Sequence, residues 1–202
     1  LKMIRDKKTQ LKIWLKKIIT AGVDEVGRGC LAGPVVSAAV ILKKSVKLNL
    51  LRDSKKITFH KRVEISEHIK LNSYYSIGLA SVREIFSLNI LQASLLSMKR
   101  AINKLPIKPN LILIDGNSTP KSVKNCKTVI NGDEKIKVIS AASIIAKVYR
   151  DRLMIELSKR YSNYAWESNF GYGTKAHLHG LRKFGVTVHH RKAFRPVHNI
   201  LS

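Results

Sequence analysis

Two apolar runs near the start of the chain, Ile18 to Val23 and Val35 to Leu42, read as a buried strand and its return strand. Thr58 can cap a helix running through Arg62, Ile65 and Ile69. Tyr74 to Val82 reads as a strand with Tyr75, Ile77 and Leu79 on one face. From Ser87 to Lys104 the spacing changes to that of an amphipathic helix. Its stripe is Ile90, Leu91, Ala93, Leu95, Met98 and Ile102, and Pro106 and Pro109 end it. Leu111 to Ile114 is short and continuously apolar, as expected of a central strand covered on both faces. Lys127 to Ile130 predicts another strand, and Ser140 to Arg160 a long helix. Trp166 to Gly173 reads as an aromatic and glycine loop, and Thr174 to Phe184 as a short helix ended by Gly185. This order of elements predicts an α/β fold: a mixed central sheet flanked by helices, with a C-terminal helical segment over about residues 152–202.

The chain's 202 residues suit one domain, read as 18–202, behind a basic extension at 1–17. Lysine and arginine total 38 against 13 acids, a net charge of +25. Such an excess favours a polyanionic partner, nucleic acid or an anionic membrane surface. No apolar run nears the roughly 20 residues that span a bilayer. Residues 1–17 carry no secretory apolar core and too few apolar positions for an amphipathic membrane helix, so no membrane partner is expected. Cys30 and Cys126 form no CxxC pair, which fits a reduced, cytoplasmic protein without a zinc cluster.

Scarce acids in a basic protein draw attention to where they fall. Asp24 and Glu25 end the first apolar run and precede Gly27-Arg28-Gly29; Asp115 ends the run Leu111 to Ile114 and precedes Gly116-Asn117. If these strands are neighbours, their acids meet at the edge where α/β folds bind ligands. Asp133 follows Gly132 after a shorter strand, and Asp151 lies in the long helix. Ser143, Lys147 and Asp151 recur at i, i+4 and i+8 and share a helix face, which could equally be a solvated side. Carboxylate oxygens are the ligands Mg²⁺ and Mn²⁺ prefer, and two such ions roughly 4 Å apart make a phosphodiester-cleaving centre. Adjacent strand residues point to opposite faces, so either the strand has ended by Glu25 or Glu25 acts from the edge or through its carbonyl.

These residues resemble the ribonuclease HII family. The resemblance is carried by Gly22-Val23-Asp24-Glu25-Val26-Gly27-Arg28-Gly29 with Leu31 to Val36, by Asp53-Ser54-Lys55-Lys56, and by Leu113-Ile114-Asp115-Gly116-Asn117. It continues in Ser140 to Val148 with Arg150-Asp151, and in Gly171-Tyr172-Gly173-Thr174-Lys175 with His177-Leu178. It implies a ribonuclease H-like fold and a two-metal endoribonuclease, using Mn²⁺ or Mg²⁺. Such an enzyme hydrolyses the RNA strand of RNA–DNA hybrids and incises duplex DNA 5′ of a single ribonucleotide, leaving 3′-hydroxyl and 5′-phosphate ends. It maps the catalytic acids onto Asp24, Glu25, Asp115 and Asp133, the first three as metal ligands, with Asp151 the runner-up or a supporting acid. It maps substrate contacts onto Gly27, Arg28, Gly29 and Tyr172, with Ser143 and Lys147 beside them. Three positions depart from the pattern: Asn131 and Phe170 stand where lysine is usual, and Ala193 where serine is usual.

Lys55, Lys56, Lys147, Lys175 and Arg191 are further candidates for phosphate contacts, against the alternative of solvated cations. His177, His179, His189 and His190 lack ligand partners at metal spacing and read as solvated or phosphate-facing. Cys30 and Cys126 read as inert. Two other readings are a ribonuclease HIII-like hybrid nuclease, disfavoured by the expected lack of a separate N-terminal substrate-binding domain, and a non-catalytic basic nucleic-acid-binding protein. The expected state is a monomer, and Phe194 in the tail offers no convincing pattern for a sliding clamp.

Overall fold

Val35–Leu42 forms β2, buried at every residue from Val35 to Ile41. A strand covered on both faces needs neighbours along both edges and a layer above and below. A computed structural model, which describes residues 18–43, 45 and 58–202, shows how these are supplied. β1, Thr20–Val26, and β3, Ser73–Ala80, run antiparallel to β2 on its two edges. β4, Leu111–Asp115, lies parallel to β1, and β5, Cys126–Val129, parallel to β4. The sheet order is β3-β2-β1-β4-β5, the mixed sheet predicted from the sequence. The expected extension 1–17 and the motif Asp53-Ser54-Lys55-Lys56 lie outside the described residues.

Helices cover both faces. α1 (Phe59–Leu71) and the long helix that follows β5 pack Ile65, Ile69, Ala141, Ile144 and Ile145 against Ala38 and Val40. α2 (Val82–Asn103) packs Met98, Ala101 and Ile102 against Val23, Ala39, Ile112 and Ile114 on the opposite face. A single turn, α3 (Gly132–Lys135), leads into that long helix, α4 (Lys137–Arg160). The C-terminal segment adds α5 (Trp166–Asn169), α6 (Lys175–Phe184) and α7 (Arg195–Leu201). Its core, Trp166, Leu181 and Val197, closes over Met154 and over Leu31 and Ala32 of the β1–β2 loop. Among the described residues no helix is long and apolar enough to cross a membrane.

Gly22 explains how α4 comes so close to β1. A Cβ there would sit 2.3 Å from the backbone carbon and oxygen of Val138. The bare glycine lets the start of α4 rest directly on the strand, and Ser143 then lies above the strand's end.

The boundaries differ from the sequence reading in instructive places. α2 begins at Val82 rather than Ser87, because Ser81 and Glu84 form a reciprocal capping box. β3 therefore stops at Ala80. Its more buried face carries Ser76, Gly78 and Ala80, since α2 lies too close for larger residues; Tyr75 is exposed. Asn89 interrupts α2 with φ 66°, and its side-chain oxygen accepts from Gln92 N, restarting the helix. Leu91, expected in the buried stripe, is exposed as a result of the altered phase. α4 starts at Lys137, before the expected Ser140.

Candidate active site

β1 and β4 are parallel neighbours, with Val23 opposite Ile114. One residue further on, Asp24 and Asp115 stand side by side. Val23 and Ile114 face α2, so the alternation of strand side chains turns both acids towards α4. Pairing along β1 continues through Glu25 to Val26, so the strand has not ended at the acids. Glu25 lies one residue before the end of β1. It lines the same cavity as Ser143, Lys147 and Tyr172, and its Oε1 accepts from Arg28 at 3.1 Å.

The acids are coupled through charge. Burial pushes the Asp24 carboxyl well above the usual carboxylate range, Glu25 and Asp115 push it further, and a hydrogen bond from Ser143 opposes them. Glu25 is also raised, first by burial and then by Asp115, against the lowering effect of Arg28. Asp115 Oδ1 accepts from Gly132 N at 2.6 Å, which ties the end of β4 to the start of α3. Asp133, the next residue, is buried in that turn. Asn131, ahead of it, has φ 54°, a left-handed conformation that asparagine tolerates better than lysine. This gives a backbone reason for the departure noted in the sequence.

Among the described residues no three acidic, histidine or cysteine side chains already stand at the spacing of a closed ion site. The residues nevertheless fit a divalent ion. Glu25 Oε2 is buried with no hydrogen-bond partner, and Asp115 acts on the same carboxyl through its charge. Buried like charges of this kind are relieved by a hard cation.

The β1–β2 loop beside the acids is held by two fully buried arginines whose bracing role sequence reasoning missed. Arg150 donates to the carbonyls of Pro34, Phe170 and Ala32. Arg191 donates to those of Gly33, Arg28 and Gly27. Arg191 is therefore not a phosphate contact as expected; its guanidinium is spent on the backbone of the glycine turn. Gly27 has φ +93°, and a Cβ there would strike the Arg150 side chain. Gly29, by contrast, faces open space. No local pattern in the sequence marks Arg150 and Arg191 as braces, because their acceptors lie more than a hundred residues away for all but one bond.

Tyr172 is partly exposed at the mouth of the cavity, its phenol pushed up to about 12 chiefly by burial and then by the neighbouring Cys30. It stays protonated at neutral pH. Its carbonyl accepts from Nδ1 of His177, which fixes that ring's tautomer. His177 Nε2 is then an acceptor, for Trp166 Nε1 and His190 Nε2, both at 3.0 Å. His190 Nδ1 accepts from Thr187 N. Two neutral, buried histidines thus support the Tyr172 loop, contrary to the expectation of solvated or phosphate-facing rings; His179 alone of the four is exposed. Lys175 is exposed, whereas Lys147 lies in the cavity wall. Asp151 is not with the other acids: it is enclosed within α4's packing and pairs with Lys147 at 2.9 Å. Arg62 of α1 also lines the cavity, a residue the sequence reading used only to phase a helix.

The sequence model of the Ribonuclease HII family matches residues 21–198. The curated ribonuclease HII of Pelagibacter ubique is 58% identical over 185 residues, spanning 91% of this chain and 99% of its own. That of Coxiella burnetii is 47% identical over 184 residues, 91% of each chain. Among solved structures, the ribonuclease H2 of Pyrococcus horikoshii OT3 superposes with a TM-score of 0.74 at 27% identity, covering 90% of this chain and 96% of that one. Bst-RNase HIII in complex with Mn²⁺ shares the fold with a TM-score of 0.69 at 17% identity, over 91% of this chain and 69% of that one.

Proposed function

The chain belongs to the ribonuclease HII family and is an endoribonuclease of RNA–DNA hybrids; on that premise we propose that Asp24, Glu25 and Asp115 hold its divalent ions and that Asp133 completes the acid set. The single observation that carries this reading is the pairing of Asp24 with Asp115 at adjacent strand ends, beside a buried Glu25 oxygen that has no other partner. Mg²⁺ or Mn²⁺ bound there would supply Lewis acidity at the scissile phosphate and polarise the attacking water. The protein's own groups prepare the site. Ser143 orients Asp24, the Gly132 amide fixes Asp115, and Arg28 offsets the charge of Glu25. Mn²⁺ bound to the HIII relative agrees with an all-oxygen site but does not choose between the ions.

The turn Gly27-Arg28-Gly29 and Tyr172 are assigned to reading the ribose. Arg191 holds the carbonyls of Gly27 and Arg28 inward, which leaves the turn's other edge for the substrate. A rigid backbone edge beside a protonated tyrosine suits recognition of a 2′-hydroxyl, the group that separates RNA from DNA. Lys147 and Ser143 line the wall next to it. We assign residues 18–202, including 152–202, to one functional unit, since the C-terminal core packs directly on the β1–β2 loop. Phe194 packs inward against Arg191.

The test is cleavage of a DNA duplex carrying one ribonucleotide, with Mg²⁺ or Mn²⁺, by wild type and Asp115→Asn. The expected result is a single incision on the 5′ side, giving 3′-hydroxyl and 5′-phosphate ends, and its loss in the variant. Cleavage confined to long hybrid tracts would keep the acid centre and overturn the roles given to Arg28 and Tyr172. Cleavage that survives Asp115→Asn would refute the acid assignment.

A further inference from the structure

Asp151 is fully enclosed, and neither of its carboxylate oxygens has a hydrogen-bond partner. A buried carboxylate in that position is tolerated only with compensating positive charge. Lys147, one turn earlier on α4, brings Nζ to 2.9 Å from Oδ1 as an ion pair. Arg62, across on α1, acts on the same carboxylate through its charge. Arg150 contributes charge too, but its guanidinium is already committed to three backbone carbonyls. Lys147 and Arg62 are the pair that also line the cavity with Glu25, Ser143 and Tyr172.

Aromatic rings hold Lys147 from the other side. Its ammonium lies 4.9 Å from the centre of Phe170 and 5.7 Å from that of Tyr172. Phe170 in turn stacks on Phe59 at the start of α1, with ring centres 6.4 Å apart. The ammonium is therefore bounded by a carboxylate and by ring faces, with 27% of its side chain left exposed. Lys147 and Arg62 thus place two cations on the wall of that cavity. An ammonium at 2.9 Å also disfavours a divalent ion on Asp151.

We propose that Asp151 is a positioning residue that aims Lys147 at one phosphate of the bound nucleic acid, forming with Arg62 of the same cavity wall a two-cation phosphodiester subsite beside the acid centre. The proposal rests on the reading of the protein as a hybrid nuclease. A lysine already fixed by an ion pair and ring contacts loses little side-chain freedom on binding a phosphate. The subsite reads the backbone and not the base, so it sets register without sequence preference.

The test is fluorescence anisotropy of a labelled RNA–DNA hybrid titrated with protein in EDTA, over a series of salt concentrations, for wild type, Lys147→Gln, Arg62→Gln, Asp151→Asn and the double variant Lys147→Gln/Asp151→Asn. Lys147→Gln is expected to reduce the slope of log affinity against log salt by about 0.9, and Arg62→Gln to reduce it in the same way. A scan of neutral methylphosphonate linkages should find one linkage whose replacement weakens wild-type binding but not that of Lys147→Gln. Asp151→Asn should weaken binding in the wild-type background and add nothing in the Lys147→Gln background. Equal losses in both backgrounds would reduce Asp151 to a structural acid and overturn the proposal. So would unchanged salt slopes for Lys147→Gln and Arg62→Gln, which decide the matter even if Asp151→Asn fails to fold. Loss of Mg²⁺-induced thermal stabilisation on Asp151→Asn would make it an ion ligand instead. Binding in EDTA does not depend on cleavage: a wild type that binds with these slopes but cleaves no hybrid would refute the nuclease reading and leave the subsite standing.

Discussion

Arg191→Lys keeps the charge and removes the fork. The guanidinium donates from three nitrogens to three carbonyls, Gly33 at 3.0 Å, Arg28 at 2.9 Å and Gly27 at 2.6 Å. A hydrogen bond from a charged donor to a buried acceptor is worth about 1.5–3 kcal/mol. A lysine ammonium is a point donor on a straight stem and cannot span three carbonyls set around a planar fork. Losing one or two of the bonds costs about 2–6 kcal/mol, and about 3 kcal/mol is the central expectation. Burial already lowers the arginine to about 10, so it remains charged at neutral pH, and the more strongly hydrated ammonium gains nothing by replacing it. For a chain of this size a loss of about 3 kcal/mol lowers Tm by roughly 6–12 °C, within the reserve of a typical domain. Calorimetry measures that shift. Cleavage of the single-ribonucleotide duplex, well below the variant's Tm, measures the consequence for the turn. We expect kcat/KM to fall with the unlocked carbonyls of Gly27 and Arg28. A Tm within 2 °C of wild type (roughly half a kcal/mol or so) with unchanged kcat/KM would refute the view that Arg191 organises the site.

Three other perturbations follow from the same geometry. The raised carboxyls of Asp24 and Glu25 contribute stability that is complete below the ordinary carboxylate range and lost as pH rises through their folded values. In EDTA at pH 7, Asp24→Asn is thus expected to unfold at higher urea than wild type, with the gap closing towards pH 4. Mg²⁺ should restore wild type only, by about 2.7 kcal/mol at a hundred times Kd; a variant less stable than wild type throughout would count against a strained acid cluster. His190, lowered to about 3 mainly by burial, has the opposite sign: its contribution is full above the unfolded value of 6.5 and is lost as pH falls towards 3. Between pH 7 and pH 4, wild type should lose about 2–3 kcal/mol more stability than His190→Gln by urea denaturation, and parallel curves would discount the neutral histidine pair. Gly22→Ala places a methyl against the Val138 backbone and should cost about 1–3 kcal/mol by overpacking. Because the displaced helix carries Ser143, cleavage at saturating Mg²⁺ should fall as well; full activity with the lower Tm would show that α4 need not sit so close.

The sequence by itself determined the strands and most helices, because each is written in a short-range pattern. Val35 to Leu42 is a strand wherever it is placed, and Thr174, Lys175 and Gly185 punctuate a helix without outside help. It also placed Asp24, Glu25 and Asp115 at strand ends, since acids beside glycine at the close of an apolar run are a local signal. Only the tertiary structure decided what those ends meet. The parallel register of β1 with β4 sets Asp24 beside Asp115, and the bare Gly22 brings α4 and Ser143 over them. Arg191 and His190 looked like surface groups in a basic tail; the fold buries both and turns their donors onto the chain's own backbone and rings. A lone arginine or histidine carries no record of its distant acceptor, so its role depends on where the packed chain leaves unpaired carbonyls and ring nitrogens. Asp151 shows the same limit on a single helix: its spacing from Lys147 was legible, but whether that face met solvent or the interior was settled by the tertiary packing of α4, which α1 joins and which leaves Asp151 buried.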